Sequence, residues 1–167
     1  MKISEASAQD FPLIRELAYN IWPHTYGAIL SAEQIIYMLE LFYSAEALKI
    51  NSESGQKFIL IDEGDKICGF AAYEHHWRHQ PVTRIHKIYV LPETQGKGFG
   101  KKLLDDIEKH AIDQNAEKLS LNVNRFNRAL GFYEKCGFKI VAKEDISIGH
   151  DYFMEDYIME KTLVRQV

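Results

Sequence analysis

His86-Lys87-Ile88-Tyr89-Val90-Leu91-Pro92 leads directly into Glu93-Thr94-Gln95-Gly96-Lys97-Gly98-Phe99-Gly100-Lys101. Ile85 to Val90 reads as a strand that Pro92 ends. Gly96, Gly98 and Gly100 then alternate through a loop that opens a long helix. Glycine lets a backbone turn tightly and approach a ligand closely. The first N–H groups of a helix have no internal partner, and the dipole there favours an anion. Strand, glycine loop and helix start together suit a phosphate group, and Lys97 and Lys101 add positive charge. The segment fits neither nucleotide pattern. No Ser or Thr follows the lysine as GxxxxGK[ST] demands, and the third glycine comes one position early for GxGxxG. A tight turn with no ligand is the plain alternative.

Downstream, Leu103, Leu104, Ile107 and Ala111 lie on one helical face. Leu119-Ser120-Leu121-Asn122-Val123 alternates as a strand. A helix spans about Asn127 to Lys135, stopped by Gly137, and Phe138–Ala142 and Tyr152–Met159 read as the last strands. Upstream, Met1–Ala6 reads as a first strand. Ser7-Ala8-Gln9-Asp10 opens a helix that carries Leu13, Ile14, Leu17 and Ile21 and that Pro23 is expected to stop. Ser31-Ala32-Glu33-Gln34 opens a second, with Ile35, Ile36, Leu39 and Phe42 on its apolar face. Phe58–Ile61 and Ile67–Tyr73 read as strands joined by Asp62-Glu63-Gly64-Asp65, a hairpin turn. The order of seven strands and four helices predicts an α/β (α+β) sheet domain. No linker divides it, so one domain is expected over 1–163, with 164–167 as a tail.

The chain has 167 residues and a formal net charge of -4. There is no broad basic field, which argues against a nucleic-acid partner. No long apolar run predicts a membrane span, and no basic-then-apolar N-terminal segment marks a signal peptide. Cys68 and Cys136 form no CxxC pair, so a reducing, cytoplasmic setting is expected. His75, His76, His79 and His86 are the only histidine grouping, and their strand-and-loop setting argues against a metal site.

Gln95-Gly96-Lys97-Gly98-Phe99-Gly100 resembles the Q/R-x-x-G-x-G/A signature of the GNAT acetyltransferases. Leu121-Asn122-Val123, Asn127, Ala129, Phe132-Tyr133 and Gly137-Phe138 resemble the family's second conserved run. The ending from Ile148-Gly149-His150-Asp151 to Leu163, and the stretch Ile21–Ala47, are similar to the PaiA-type branch of spermidine/spermine acetyltransferases. The resemblance implies a curved mixed sheet splayed into a V, with acetyl-coenzyme A as co-substrate and no metal. It implies that the backbone of Ile88, Tyr89 and Val90 pairs with the pantetheine arm. The amides of Gln95, Gly96, Lys97, Gly98, Phe99, Gly100 and Lys101 would hold the pyrophosphate. Asn127 would bond the pantetheine, and Tyr133 would approach the sulfur.

Amine acetylation needs a deprotonated amine, a donor for the developing oxyanion and a proton for the departing thiolate. Backbone N–H groups near Tyr89–Val90 suit the second need. Tyr133 suits the third, because phenol and thiol have comparable reference pKa values. For the base, Glu74 and His86 are the leading candidates, with His75, His76 and His79 as further options. Trp22, His24 and Tyr26 are candidates to line the acceptor site, and Glu33, Glu40 and Glu46 to attract a polycation or simply to face solvent. The expected reaction is direct acetyl transfer to a primary amine, with a small amine such as a polyamine as acceptor. Acetylation of a protein N-terminus or lysine, and a non-catalytic acyl-coenzyme A sensor, are the alternatives. Monomer and homodimer both stay open.

Overall fold

The computed structural model describes residues 1–164. Its strands are β1 (Lys2–Glu5), β2 (Lys57–Glu63), β3 (Lys66–Glu74), β4 (Val82–Val90), β5 (Lys118–Asn124), β6 (Lys139–Ser147) and β7 (Phe153–Thr162). Its helices are α1 (Phe11–Tyr26), α2 (Ala32–Tyr43), α3 (Ala45–Glu53), α4 (Phe99–Asp113) and α5 (Ala129–Lys135). The strands form one seven-stranded sheet in the order β1-β2-β3-β4-β5-β7-β6. Pairing is antiparallel for β1/β2, β2/β3, β5/β7 and β6/β7, and parallel for β4/β5. The α/β class and the seven strands match the sequence expectation, with one more helix than expected. Of the expected tail, Arg165 to Val167 lie outside the described residues.

By packing, the chain divides into two compact units. One comprises Met1–Glu74 with His86–Ile107, and the other comprises His75–Ile85 with the chain from Glu108 onward. In the first unit, α1 buries Ile14, Leu17, Ala18, Ile21, Trp22 and Tyr26. Pro23 does not stop this helix: it sits inside, and the Gly27 N–H donates to its carbonyl at 2.9 Å. Proline costs a helix one internal N–H donor. Here buried Trp22 and Tyr26 on either side of it offset that cost.

The extra helix, α3, begins at Ser44, whose Oγ accepts from the Ala47 N–H at 3.1 Å. Only Leu48 of α3 is buried, so its apolar pattern is faint, although the cap was present in the sequence. Phe58–Ile61 of β2 and Phe70–Tyr73 of β3 are buried. Between them the register shifts: Ile61 faces Gly69 while Asp62 faces Ile67. Cys68 is therefore a bulge residue, and its carbonyl accepts the Leu91 N–H at 2.8 Å.

In the second unit, β5 buries Leu119, Leu121 and Val123 on one face, as its alternation requires. The β4/β5 ladder runs from Val82↔Lys118 to Ile85↔Leu121. β6 is longer than its apolar residues suggested. It is exposed almost throughout, and its pairing with β7 continues to Ser147↔Phe153. Backbone hydrogen bonding, and not burial, sets that length.

Candidate active site

The glycine loop is exposed and follows a short 3₁₀ turn at Pro92–Thr94. Gly96 and Gly98 have φ of +79° and +89°, the left-handed region that favours glycine. A Cβ at Gly96 would meet nothing within 4 Å, so the space around that turn is open. The first helical bond of α4 runs from the Lys102 N–H to the Gly98 carbonyl at 3.0 Å. The N–H groups of Phe99 and Gly100 therefore precede the helical ladder. No acid lies in the first turn of α4, which leaves the positive end of the dipole unopposed. Two amides of the loop have other partners. Gln95 N–H donates to the Pro92 carbonyl (3.2 Å) and Lys97 N–H to the Thr94 carbonyl (3.3 Å). Lys101 is ion-paired with Asp105 at 2.8 Å in the exposed surface.

Upstream of the loop, Ile88, Tyr89 and Val90 are half-buried. Their strand is set closely against β3. A Cβ on Gly69 would lie 2.6 Å from the Tyr89 carbonyl oxygen and 2.9 Å from Val90 Cγ1. Only glycine permits that approach.

Glu74 and His86, separate candidates for the base, come together. Glu74 Oε1 lies 2.9 Å from His86 Nε2, and both side chains are about one-fifth exposed, at 23% and 22%. A carboxylate at Nε2 fixes the proton there and gives the lone pair to Nδ1. The other histidines do not join them. His75 Nδ1 is 2.8 Å from the Thr83 hydroxyl. His76 and His79 are exposed residues with φ of 53° and 58°. Among the described residues no group of three or more His, Cys, Asp or Glu could hold a metal ion.

In the second unit, Tyr133 is 7% exposed and packs edge-on to Phe138, with centroids 5.8 Å apart. Asn127 Oδ1 accepts the Ala129 N–H at 2.9 Å in the turn that leads into α5.

Of the acceptor candidates, His24 is exposed, while Trp22 and Tyr26 are 3% and 8% exposed. The two rings join Tyr43, Phe70 and Tyr89 in an aromatic cluster with centroids 4.7–6.4 Å apart. The Tyr26 and Tyr89 hydroxyls are 2.9 Å apart, one donating to the other. Glu40 is held by Arg15 and Tyr19.

One residue stood out in no sequence pattern. Lys87 retains some solvent contact, yet burial of its ammonium lowers its pKa to about 8. Nζ donates to Asn51 Oδ1 at 2.9 Å and lies 3.5 Å from Gln56 Oε1. It sits 5.7 Å and 5.8 Å from the Tyr43 and Phe58 ring centroids.

Comparison with known proteins agrees with this geometry. The acetyltransferase (GNAT) family model matches residues 14–138. A spermidine N(1)-acetyltransferase of Thermoplasma acidophilum is 29% identical over 93% of this chain and 96% of its own length. The crystal structure of a PaiA N-acetyltransferase from the same organism, in complex with coenzyme A, superposes with a TM-score of 0.80. It is 29% identical and covers 98% of this chain and 100% of that one. An uncharacterized N-acetyltransferase of Archaeoglobus fulgidus is 37% identical over 45% of this chain, and the match spans 55% of that protein. No helix among the described residues is long and apolar enough to cross a membrane. With the glycine loop, the sheet order and these relatives in agreement, the chain belongs to the GNAT acetyltransferase family and is an acetyl-coenzyme A-dependent N-acetyltransferase.

Proposed function

We propose that this enzyme acetylates a primary amine of a small polyamine, with residues 1–163 acting as one functional domain. The observation that carries the acceptor reading is the Thermoplasma relative, a spermidine N(1)-acetyltransferase aligned along nearly the whole of both chains. The family match at 14–138 crosses both packing units, which supports a single functional domain.

The residues fit the coenzyme. Gly96 and Gly98 turn without side chains beside the start of α4, and the N–H groups of Gly96, Gly98, Phe99 and Gly100 suit a diphosphate better than those of Gln95 and Lys97, which the turn employs. Lys97 and Lys101 supply charge. The backbone of Ile88, Tyr89 and Val90 suits the pantetheine arm, and the amide nitrogen of Asn127 suits its carbonyls. When bound, acetyl-coenzyme A supplies an activated acyl group as a thioester.

The chain's own residues then handle protons. His86, oriented by Glu74, takes the proton from the incoming ammonium at Nδ1. Backbone N–H groups near Tyr89 and Val90 stabilise negative charge as it develops on oxygen. Tyr133 donates its phenolic proton toward the departing sulfur. Of the acceptor candidates, His24 is the exposed one that an amine could meet, while buried Trp22 and Tyr26 support the region from within the aromatic cluster. The cysteines, neither in a disulfide, are in keeping with a cytoplasmic enzyme.

The test is thiol release from acetyl-coenzyme A with spermidine, spermine, amino acids and short peptides. Release confined to the polyamines supports the acceptor. Release with peptides alone redirects the activity to protein amines. Tight coenzyme binding without release for any amine makes the protein a sensor.

A further inference from the structure

We propose that Lys87 is a positioning residue that fixes the strand segment Ile88–Val90 by tethering it to α3 and to the turn that follows. The inference rests on the reading that this segment holds the pantetheine arm. The ladder of β4 with β5 has its last rung at Ile85. Beyond it, two alternate side chains of β4 reach out as polar tethers. Lys87 donates to Asn51 in the last turn of α3, and Tyr89 bonds Tyr26 in the last turn of α1.

The surroundings of Lys87 are unusual for an ammonium. Among the described residues no carboxylate pairs with it. Its neighbours are two amide oxygens, from α3 and from the α3–β2 turn, and the rings of Tyr43 on α2 and Phe58 on β2. Tyr43 is the one titratable group among them, and burial pushes its phenol well above the usual range, so it stays neutral. Proximity to the C-terminal turn of α3 and to two ring faces favours the cation. Neither offsets desolvation in full, since burial alone drives the shift. A methionine would fill similar space without that penalty. Stability therefore does not explain a lysine here, whereas directional donation to Asn51 does.

The same turn serves a second neighbour. A Cβ on Gly55 would lie 3.8 Å from Glu74 Cγ. The turn steadied by Lys87 at Asn51 and Gln56 thus also backs the carboxylate that holds His86.

The experiment is coenzyme A binding by titration calorimetry, with thermal unfolding at pH 7, for wild type, Lys87→Met, Lys87→Arg and Asn51→Leu. We expect coenzyme A to bind about tenfold more weakly to Lys87→Met and Asn51→Leu. Lys87→Met should unfold at the same temperature as wild type or higher, and Lys87→Arg should recover part of the affinity. Wild-type affinity in Lys87→Met overturns the proposal, as does an affinity loss that merely tracks a fall in unfolding temperature. Failure of wild type to bind coenzyme A overturns the cofactor reading itself, and this inference with it.

Discussion

Glu74 Oε1 and His86 Nε2 lie 2.9 Å apart, from adjacent strands, both largely shielded from solvent. The pair has the geometry of an oriented base, in which the carboxylate chooses the tautomer and the imidazole moves the proton. His86→Ala is expected to lower kcat by about 10²-fold or more, the usual contribution of a positioned base. Glu74→Gln should lower it less, because an amide still bonds the ring but no longer favours a proton at Nε2. Steady-state kinetics with a reactive amine checks both. A His86→Ala enzyme with undiminished kcat removes the pair from the chemistry.

Tyr133 is buried against Phe138, so its ring is held whether or not it carries a hydroxyl. Tyr133→Phe should therefore keep the fold and bind coenzyme A normally while turnover falls, again by about 10²-fold. The readouts are coenzyme titration and kcat on one preparation. Equal turnover in the two proteins would strip Tyr133 of its acid role.

Gly98 has φ +89°, and a Cβ there would have only Met1 Cε within 4 Å, at 4.0 Å. Space is thus not the difficulty. Gly98→Asp costs about 1–2 kcal/mol of backbone strain and sets a negative charge beside the proposed phosphate cradle. Affinity for coenzyme A should fall by more than about tenfold, an equivalent of ~1.4 kcal/mol. Gly98→Ala, with strain but no charge, should fall between that variant and wild type.

Lys87 carries a pH signature. Its pKa in the folded protein is about 8, against about 10.4 in an unfolded chain. Between these values the unfolded chain holds a proton that the folded protein has released. Stability from this group therefore rises with pH through that window and is flat below it. The full swing is at most about 3 kcal/mol. Urea unfolding from pH 7 to 10 should show wild type gaining on Lys87→Met across the window. A constant difference between the two proteins contradicts the assignment.

Gly69 tests the packing of β3 on β4. A methyl group there would press on the Tyr89 carbonyl. Gly69→Ala should destabilise the protein by about 1–3 kcal/mol, as overpacking does, and weaken coenzyme A binding as well. Calorimetric unfolding together with ligand titration reads both effects.

The sequence was most informative where one local rule acts alone. The strand into Pro92, the alternating glycines and the apolar face of α4 follow from spacing, and so does β5. It was less informative where pairing or packing overrides local preference. Pro23 reads as a helix stop, yet buried neighbours carry α1 on to Tyr26. α3 buries only Leu48, so its capped start was the one clear signal. β6 owes its length to β7, not to its own burial. Within the site, Glu74 and His86 were each candidates, but their contact depends on how two strands register. Lys87 was silent for a different reason: a lysine in a strand ordinarily marks the solvent face, and only tertiary packing turns its ammonium inward.

The phenol-to-phenol bond between Tyr26 and Tyr89 joins the last turn of α1 to the strand leading into the glycine loop. With the acceptor and coenzyme sites as proposed, substitutions made in α1 to retune the choice of amine will therefore be felt in affinity for the acyl donor. Variant libraries aimed at one of these specificities should be screened for drift in the other.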